Sequence, residues 1–387
     1  MLAVHPSIGT SEDEEIFIPP SPEAYVELED TPDPSPTETT STSTYPPTTA
    51  FRSTTPRAKT PTPAHYPQVA TYPEMHSTGS TKEPCKVYRQ WPLRLQHYKR
   101  SKKDWCAVPK GSRDRRKTPA KTIALATWNV DFASHYPQER MRGALDELKG
   151  EILPIDEETN ALEPCVVLLQ EVHNKMLEVI RLCPWVRENF YVTPLNHLKW
   201  PYPHTYGNVT LVHRSLHVER ASLLEYRMSP SSRSAIMIDV KLHSDRVLRV
   251  INTHLESMPE NASLRREQLA MCARFCQGEE IDGAVIAGDL NAIDWNSDEQ
   301  VDGLGMEDAF QPGRYDRPEE GYTWGYQCNS DHDKGLPKGR LDRILYTPRR
   351  GFSVTKPDVV GKGIRIEEGR FISDHFGLAA DIHIEDD

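Results

Sequence analysis

Seven cysteines stand in the 387-residue chain, at 85, 106, 165, 183, 272, 276 and 328, and none of them forms a C-x-x-C pair. That spacing argues against a zinc site. An odd, scattered set without a framework fits a reducing compartment better than a disulfide-stapled secreted fold. Cys272 and Cys276 are one helical turn apart, as on a helix core face, and Cys165 opens an apolar strand as a small buried hydrophobe. No apolar run approaches membrane-spanning length, and Met1 to Ser11 lacks the charged and apolar regions of a signal peptide. The expectation is a soluble intracellular monomer with no membrane contact. A Gly-x-Ser-x-Gly nucleophile elbow, a glycine-rich phosphate loop and internal repeats are also missing.

Large apolar groups are scarce in the first part of the chain. Proline, serine and threonine crowd residues 37–49 and 53–63, too few large side chains to offset the entropy of ordering, so residues 1–81 are expected to form a disordered tail. The net charge of −11 divides unevenly along the chain. Residues 1–81 carry 3 basic and 11 acidic residues, a net −8, whereas residues 82–121 carry 14 and 3, a net +11, leaving −14 for 122–387. The basic block includes Lys99-Arg100-Ser101-Lys102-Lys103 and Arg113-Asp114-Arg115-Arg116-Lys117. It suits a nuclear-import signal, a phosphate-binding arm or a solvated linker. Val87, Tyr88, Trp91, Leu93, Leu95, Tyr98 and Trp105 are too many large groups for a pure linker, so part of 82–121 is expected to pack as an edge segment.

From Ile123 the texture becomes globular. Ile123 to Asn129 reads as a strand, and Arg140 to Ile152 as an amphipathic helix with Met141, Ala144, Leu145 and Leu148 on one face. Val166 to Gln170 is an apolar strand of the kind buried on both faces. Val172 to Leu182 looks helical and stops before Pro184. Strands are expected around Tyr191 and at Val209 to His213, Ala235 to Leu242 and Val247 to Thr253. A helix at Ser263 to Cys276 follows, then strands at Val285 to Gly288, Asp342 to Tyr346 and Phe376 to Ile384. Interleaved elements with some hairpin-like spacing argue for mixed sheets with helices outside, in one domain over 122–387.

Polar residues of one chemical kind gather at the strand ends. Trp128-Asn129 leads to Asp131, and Gln170-Glu171 follows the second strand. Asn252-Thr253-His254-Leu255-Glu256-Ser257 follows another, Gly288-Asp289-Leu290-Asn291 a fourth, and Ser373-Asp374-His375 precedes the last. Asp342 starts the strand before it. Singly, each has an ordinary structural role: Gly-Asp-x-Asn suits a turn, Glu171 a first helical turn, Asn129 a turn, Asp374 a cap, His254 or His375 a hydrogen-bonded structural histidine. Jointly, carboxylates and amides with few soft ligands suit a hard cation, Mg²⁺ or Mn²⁺, beside a phosphoester, with a histidine to share transition-state charge and a carboxylate to orient water.

Thr-Trp-Asn, Leu-Gln-Glu, Thr-His-Leu-Glu-Ser, Gly-Asp-x-Asn, Arg-Leu-Asp-Arg and Ser-Asp-His occur in that order. The series resembles the endonuclease/exonuclease/phosphatase superfamily, and within it the 5′-tyrosyl-DNA phosphodiesterases. The pointers to that group are Thr127-Trp128-Asn129-Val130-Asp131, His254-Leu255-Glu256-Ser257, Thr323-Trp324 and Asp342-Arg343-Ile344. The resemblance covers about residues 122–387 and implies a four-layer α/β/β/α sandwich with two mixed sheets. It implies Glu171 as metal ligand with Asp374 beside it, Asn129 helping hold metal and phosphate, and Asp289 activating the attacking water with Asn291 at the scissile phosphate. His375 would stabilise the phosphorane-like transition state, held by Asp342. His254 and Ser257 would contact substrate phosphate, Tyr206 and Trp324 would be aromatics at the DNA 5′ end, and Arg233 would face the adduct. Two departures stand out: Phe132-Ala133-Ser134 follows Asp131 where the family has a glycine, and Ala292-Ile293 follows Asn291 where a basic residue is expected.

The expected function is therefore a Mg²⁺-dependent (or Mn²⁺-dependent) phosphodiesterase of 5′-phosphotyrosyl DNA ends in DNA repair, working in the nucleus, with unknown partners for the tail. Related substrates keep the same chemistry: abasic DNA, poly(A) RNA, inositol phosphates or sphingomyelin. A catalytically inactive scaffold is the reading from another class, and it would need none of the strand-end residues.

Overall fold

The structure is a computed structural model that describes residues 88–109, 120–242, 245–293, 301, 303–311, 317–329, 337–349 and 351–385. The expected disordered tail and the Arg113–Lys117 cluster lie outside the described residues. The strands open with β1 (Tyr88–Pro92), β2 (Gln96–Lys99), β3 (Asp104–Ala107), β4 (Thr122–Asn129), β5 (Ile155–Asp156), β6 (Ala161–Leu162) and β7 (Cys165–His173). They continue with β8 (Phe190–Thr193), β9 (Tyr206–His213), β10 (His217–Tyr226), β11 (Ser234–Lys241), β12 (Val247–His254) and β13 (Gly283–Asp289). The last are β14 (Glu307–Asp308), β15 (Asp342–Tyr346), β16 (Phe352–Val354), β17 (Asp358–Val360) and β18 (Gly377–Ile384). The helices are α1 (Pro137–Glu147), which runs into a π-helical turn at Leu148–Ile152, α2 (Asn174–Leu182), α3 (Pro184–Asn189) and α4 (Ala262–Cys276).

Two large sheets result. One has seven strands in the order β1-β10-β11-β12-β13-β15-β14; the other has nine, ordered β16-β18-β4-β7-β9-β8-β2-β3 with β17 beside β18. The alternation of strand side chains divides the interior into three apolar layers. Ile123, Leu125, Val166 and Leu168 of one sheet meet Ile236, Ile238, Val250, Val285 and Ile344 of the other. Their neighbours Ala124, Ala126, Val167 and Leu169 point the opposite way, onto Met141, Leu145, Met176 and Ile180 of α1 and α2. Ala235, Met237, Ile251 and Ile286 pack against Leu269, Cys272 and Cys276 of α4. This is the expected four-layer α/β/β/α sandwich with two mixed sheets. No helix among the described residues is long and apolar enough to cross a membrane.

Two local differences from the sequence reading have physical causes. The strand through Val166 continues to His173, so α2 starts at Asn174 rather than Val172; the His173 ring accepts a hydrogen bond from the Lys175 amide and caps the helix. Strand β10 was not expected, because Glu219, Arg220 and Glu225 interrupt its apolar pattern and a bulge between Val218 and Arg220 breaks its alternation. Residues 88–107 form three paired strands: β1 lies against β10 in the seven-stranded sheet, and β2 and β3 extend the nine-stranded one.

Candidate active site

Each large sheet contains one parallel pair, β4–β7 and β12–β13, flanked by antiparallel neighbours. Parallel neighbours finish at the same edge, so Asn129 and Glu171 end together in one sheet, and His254 and Asp289 in the other. Just beneath them Gln170 Nε2 donates to Asn252 Oδ1 at 2.9 Å, and Asn252 Nδ2 donates to the carbonyls of Leu169 and Val209. These fully buried amides pin one sheet to the other and align the two sets of strand ends.

Gly288 explains the glycine of Gly-Asp-x-Asn. Its φ is +143°, and a Cβ there would sit 1.9 Å from the Thr253 carbonyl oxygen. Only glycine lets β13 approach β12 so closely. Asp131, Glu171 and Asn291 each adopt left-handed backbone, at φ of 53°, 55° and 47°. Such conformations are costly for residues with a Cβ and persist where the surroundings over-determine them.

Asp289 is the hub. Asn129 Nδ2 donates to its Oδ2 at 2.9 Å, His254 Nε2 lies 3.2 Å from the same oxygen, and His375 Nε2 lies 3.8 Å away. Its Oδ1 accepts from the Asn291 amide at 2.9 Å. Burial alone would push this carboxyl up, but His254 and His375 hold it well below the usual carboxylate range. Arg233 Nη1 donates to His254 Nδ1 at 2.7 Å, which leaves the ring proton on Nε2, facing Asp289. Asn291 Nδ2 donates to the Leu255 carbonyl at 3.0 Å.

His375 Nδ1 donates to Asp342 Oδ2 at 2.8 Å. Burial would depress the imidazole, but Asp342 first, then Asp289 and Asp374, hold it well above the usual histidine value. The Thr323 hydroxyl accepts from the amides of Leu341 and Asp342, and Trp324 bridges to His375 in an antiparallel contact. Trp324 Nε1 donates to Asp374 Oδ2 at 3.3 Å.

Glu171 occupies the other side. Its Oε2 accepts from the Phe132 amide at 3.1 Å, and its Oε1 lies 3.8 Å from both His254 Nε2 and Arg233 Nη1. Tyr206 stacks on Phe132 with ring centroids 3.9 Å apart, and the Arg233 guanidinium carbon lies 5.8 Å from the Tyr206 ring. Arg233 Nη2 also donates to the Ser257 hydroxyl at 3.4 Å. All twelve residues singled out in the sequence therefore fall in one connected cluster.

Donor chemistry decides where a cation fits. Ligand atoms of Asp289, Asp342 and His375 lie within 4.8 Å of one another. There, however, the two carboxylates already share a protonated imidazole, whose nitrogens have no lone pair to offer. Glu171 and Asp374 suit a hard cation better: both are carboxylates, and Glu171 and Asp131 each raise Asp374. Burial is the largest cause of that rise, His375 opposes it, and the carboxyl is pushed up to about 7.

Sequence patterning missed several supports. Arg140 is fully buried on the apolar face of α1 and donates to the carbonyls of Val130, Asp131, Ser134 and Ile372, fixing the turn that carries Asp131. Ser373 Oγ donates to the Asn129 carbonyl at 2.6 Å and accepts from the His375 amide. Phe132, marked only as a departure, contributes both its amide and its ring. An arginine on a helix's apolar stripe was the one available signal.

The Endonuclease/Exonuclease/phosphatase family model matches residues 126–375. Tyrosyl-DNA phosphodiesterase 2 of Rattus norvegicus is 24% identical over 271 residues, covering 68% of this chain and 67% of the rat protein. The mouse protein of that name is 23% identical over 274 residues, covering 68% of this chain and 66% of its own length. TDP2 from C. elegans superposes with a TM-score of 0.52 at 22% identity, over 68% of this chain and 75% of that one. D. rerio TDP2 complexed with single-strand DNA product gives a TM-score of 0.52 at 20% identity, over 68% of this chain and all of that one.

Proposed function

Because the chain belongs to the Endonuclease/Exonuclease/phosphatase family, whose members are hydrolases, we propose that it is a Mg²⁺-dependent phosphodiesterase acting on 5′-phosphotyrosyl DNA ends. The observation that carries the chemistry is the convergence of Asn129, His254 and His375 on the Asp289 carboxylate, with Glu171 across the cleft. Similarity to tyrosyl-DNA phosphodiesterase 2 and the aromatic groups on both flanks, Trp324 at His375 and Phe132–Tyr206 at Glu171, support the substrate.

Asp289, held ionised and fixed by Asn129 and His254, orients water toward phosphorus. A carboxyl so far below neutral pH is a weak base, so orientation outweighs proton removal in its role. His375, kept protonated by Asp342, donates from Nε2 to the oxygen that gains charge as the phosphorus is attacked. Asn129 and Asn291 add amide groups near the same phosphate, and Ser257, His254 and Arg233 meet another of its oxygens. Glu171 and Asp374 would hold the Mg²⁺ (or Mn²⁺), which when bound neutralises charge on non-bridging oxygens. The basic block at 82–121 supports a nuclear setting and contact with DNA, against the acidic remainder of the chain.

Release of tyrosine from a 5′-tyrosyl oligonucleotide in Mg²⁺ tests the reading. Abasic DNA, poly(A), an inositol phosphate and sphingomyelin run in parallel. Intact tyrosyl ends beside cleavage of one of the others would overturn the substrate; hydrolysis of none would overturn the chemistry.

A further inference from the structure

The buried carboxylate of Glu256 has no part in the scheme above, although it lies between two of its residues in the chain, His254 and Ser257. Glu256 is fully buried. Its backbone is fixed from α4: its amide donates to Gln268 Oε1 at 2.8 Å, and its carbonyl accepts from Arg265 Nη1 at 3.1 Å. Its side chain reaches the turn between β10 and β11. Ser229 Oγ donates to Oε2 at 2.5 Å, Ser231 Oγ donates to Oε1, and the Ser231 amide points at Oε2 from 3.4 Å. Ser229 Oγ in turn accepts from the Arg233 amide at 2.8 Å. A continuous relay thus runs from α4 through Glu256 and Ser229 to the backbone of Arg233, whose guanidinium ends on His254.

We propose that Glu256 is a positioning residue that clamps the β10–β11 turn and thereby sets Arg233 on His254. Without it, desolvation opposes the contacts that draw Arg233 inward. Its turn is solvent-facing at Arg227, Met228 and Pro230, and a guanidinium prefers water to a site where its Nε has no hydrogen-bond partner among the described residues. The clamp holds the Arg233 backbone where its guanidinium reaches His254. Because Arg233 fixes the His254 ring by its Nδ1 contact, the effect reaches Asp289 two hydrogen bonds further on. Tyr206 shares the dependence, since its hydroxyl donates to the Ser231 carbonyl of the same turn at 3.0 Å.

The kinetic arm of the test rests on the phosphodiesterase reading; a second arm does not. With Mg²⁺ and thymidine 5′-(p-nitrophenyl) phosphate as probe, Glu256→Ala should lower kcat by about 10–100-fold, the range usual for a group behind a contacting residue. Glu256→Gln, which offers one acceptor and one donor to the two serines, should keep most of the rate. Combining Glu256→Ala with Arg233→Ala should be no slower than Arg233→Ala alone, because both remove one unit; losses that multiply would indicate a general structural role and overturn the proposal. Should Glu256→Ala fail to fold, Ser229→Ala, which cuts the same relay at its middle, must slow kcat and lose its effect in the Arg233→Ala background. Independently of turnover, amide hydrogen exchange over 227–233 should quicken in Glu256→Ala or Ser229→Ala while exchange in β12 and β13 is unchanged. Parental protection of that turn would refute the clamp, and a parent protein that exchanges as expected yet hydrolyses nothing would refute only the phosphodiesterase reading.

Discussion

On the side of the site built by β12, β13 and β15, each charged group is held by a partner within the chain. Asp289 lies against His254 and faces His375, His375 is matched by Asp342, and His254 is braced by Arg233. On the side built by the end of β7 and the segment before β18, carboxylates face one another: Glu171 and Asp131 both push Asp374 up. Internal countercharge there lies farther off, with Asp131 Oδ2 3.5 Å from Arg140 and Glu171 Oε1 3.8 Å from Arg233. The first half is preorganised, because its dipoles and charges are fixed before substrate arrives. The second suits the proposed divalent cation, because a cation would relieve its like charges. On the proposed reading, one half handles water and transition-state charge, and the other neutralises phosphate charge.

The comparison breaks most sharply if the cation is withdrawn. A chelator, or Glu171→Gln, should abolish hydrolysis of the tyrosyl end while far-UV circular dichroism stays as in the parent; full turnover in excess chelator would refute the cationic half. Asp289→Asn tests the other half, keeping the shape of the hub and removing its charge. Turnover should fall by about 10²–10⁴-fold, the usual worth of a positioned acid–base group. Parental kcat in this variant would mean the two histidines do not act through Asp289.

A smaller loss is expected one contact further out. Asp342→Asn leaves a hydrogen-bond acceptor for His375 but removes the charge that raises the imidazole. The histidine then loses its proton at lower pH, so the alkaline limb of kcat moves down in pH, with a fall of about 10–100-fold at neutral pH. An unmoved limb would separate His375 from the pH dependence.

The halves also differ in how far they could be read from sequence. Strands buried on both faces, β7 and β13 above all, announce themselves as continuous apolar runs, and the reactive groups stand at their ends, where extended chain leaves the core. Asn129, Glu171, His254, Asp289, Asp342 and His375 were legible for that reason. The groups that hold them were not. Arg140, Gln170, Asn252 and Glu256 are all buried; a one-dimensional pattern reads Arg140 as surface, and it shows the other three at strand ends without saying what they hold. The partners of Arg140 alone lie 5 to 232 residues away, and no spacing rule links such positions. Phe132 is the instructive case: the sequence marked it as a departure, but only the fold places its amide on Glu171 and its ring on Tyr206.

The smallest effect bears on the cationic half alone. With its carboxyl raised to about 7, Asp374 is neutral in the folded protein at mildly acidic pH. An acid raised on folding contributes stability that is fully present below its unfolded value, about 4 for aspartate, and lost as pH rises through the folded value. From this group, then, metal-free protein loses stability between about pH 4 and 7, and above 7 the ionised carboxylate adds to the repulsion around Glu171. A divalent cation binds the ionised form and competes with the proton below 7. The rise in Tm on adding Mg²⁺ should therefore be a few degrees larger at pH 8 than at pH 6, and Asp374→Asn should remove that difference. A Mg²⁺ effect equal at the two pH values in the parent would place the cation away from Asp374 and leave Glu171 as its carboxylate on that side.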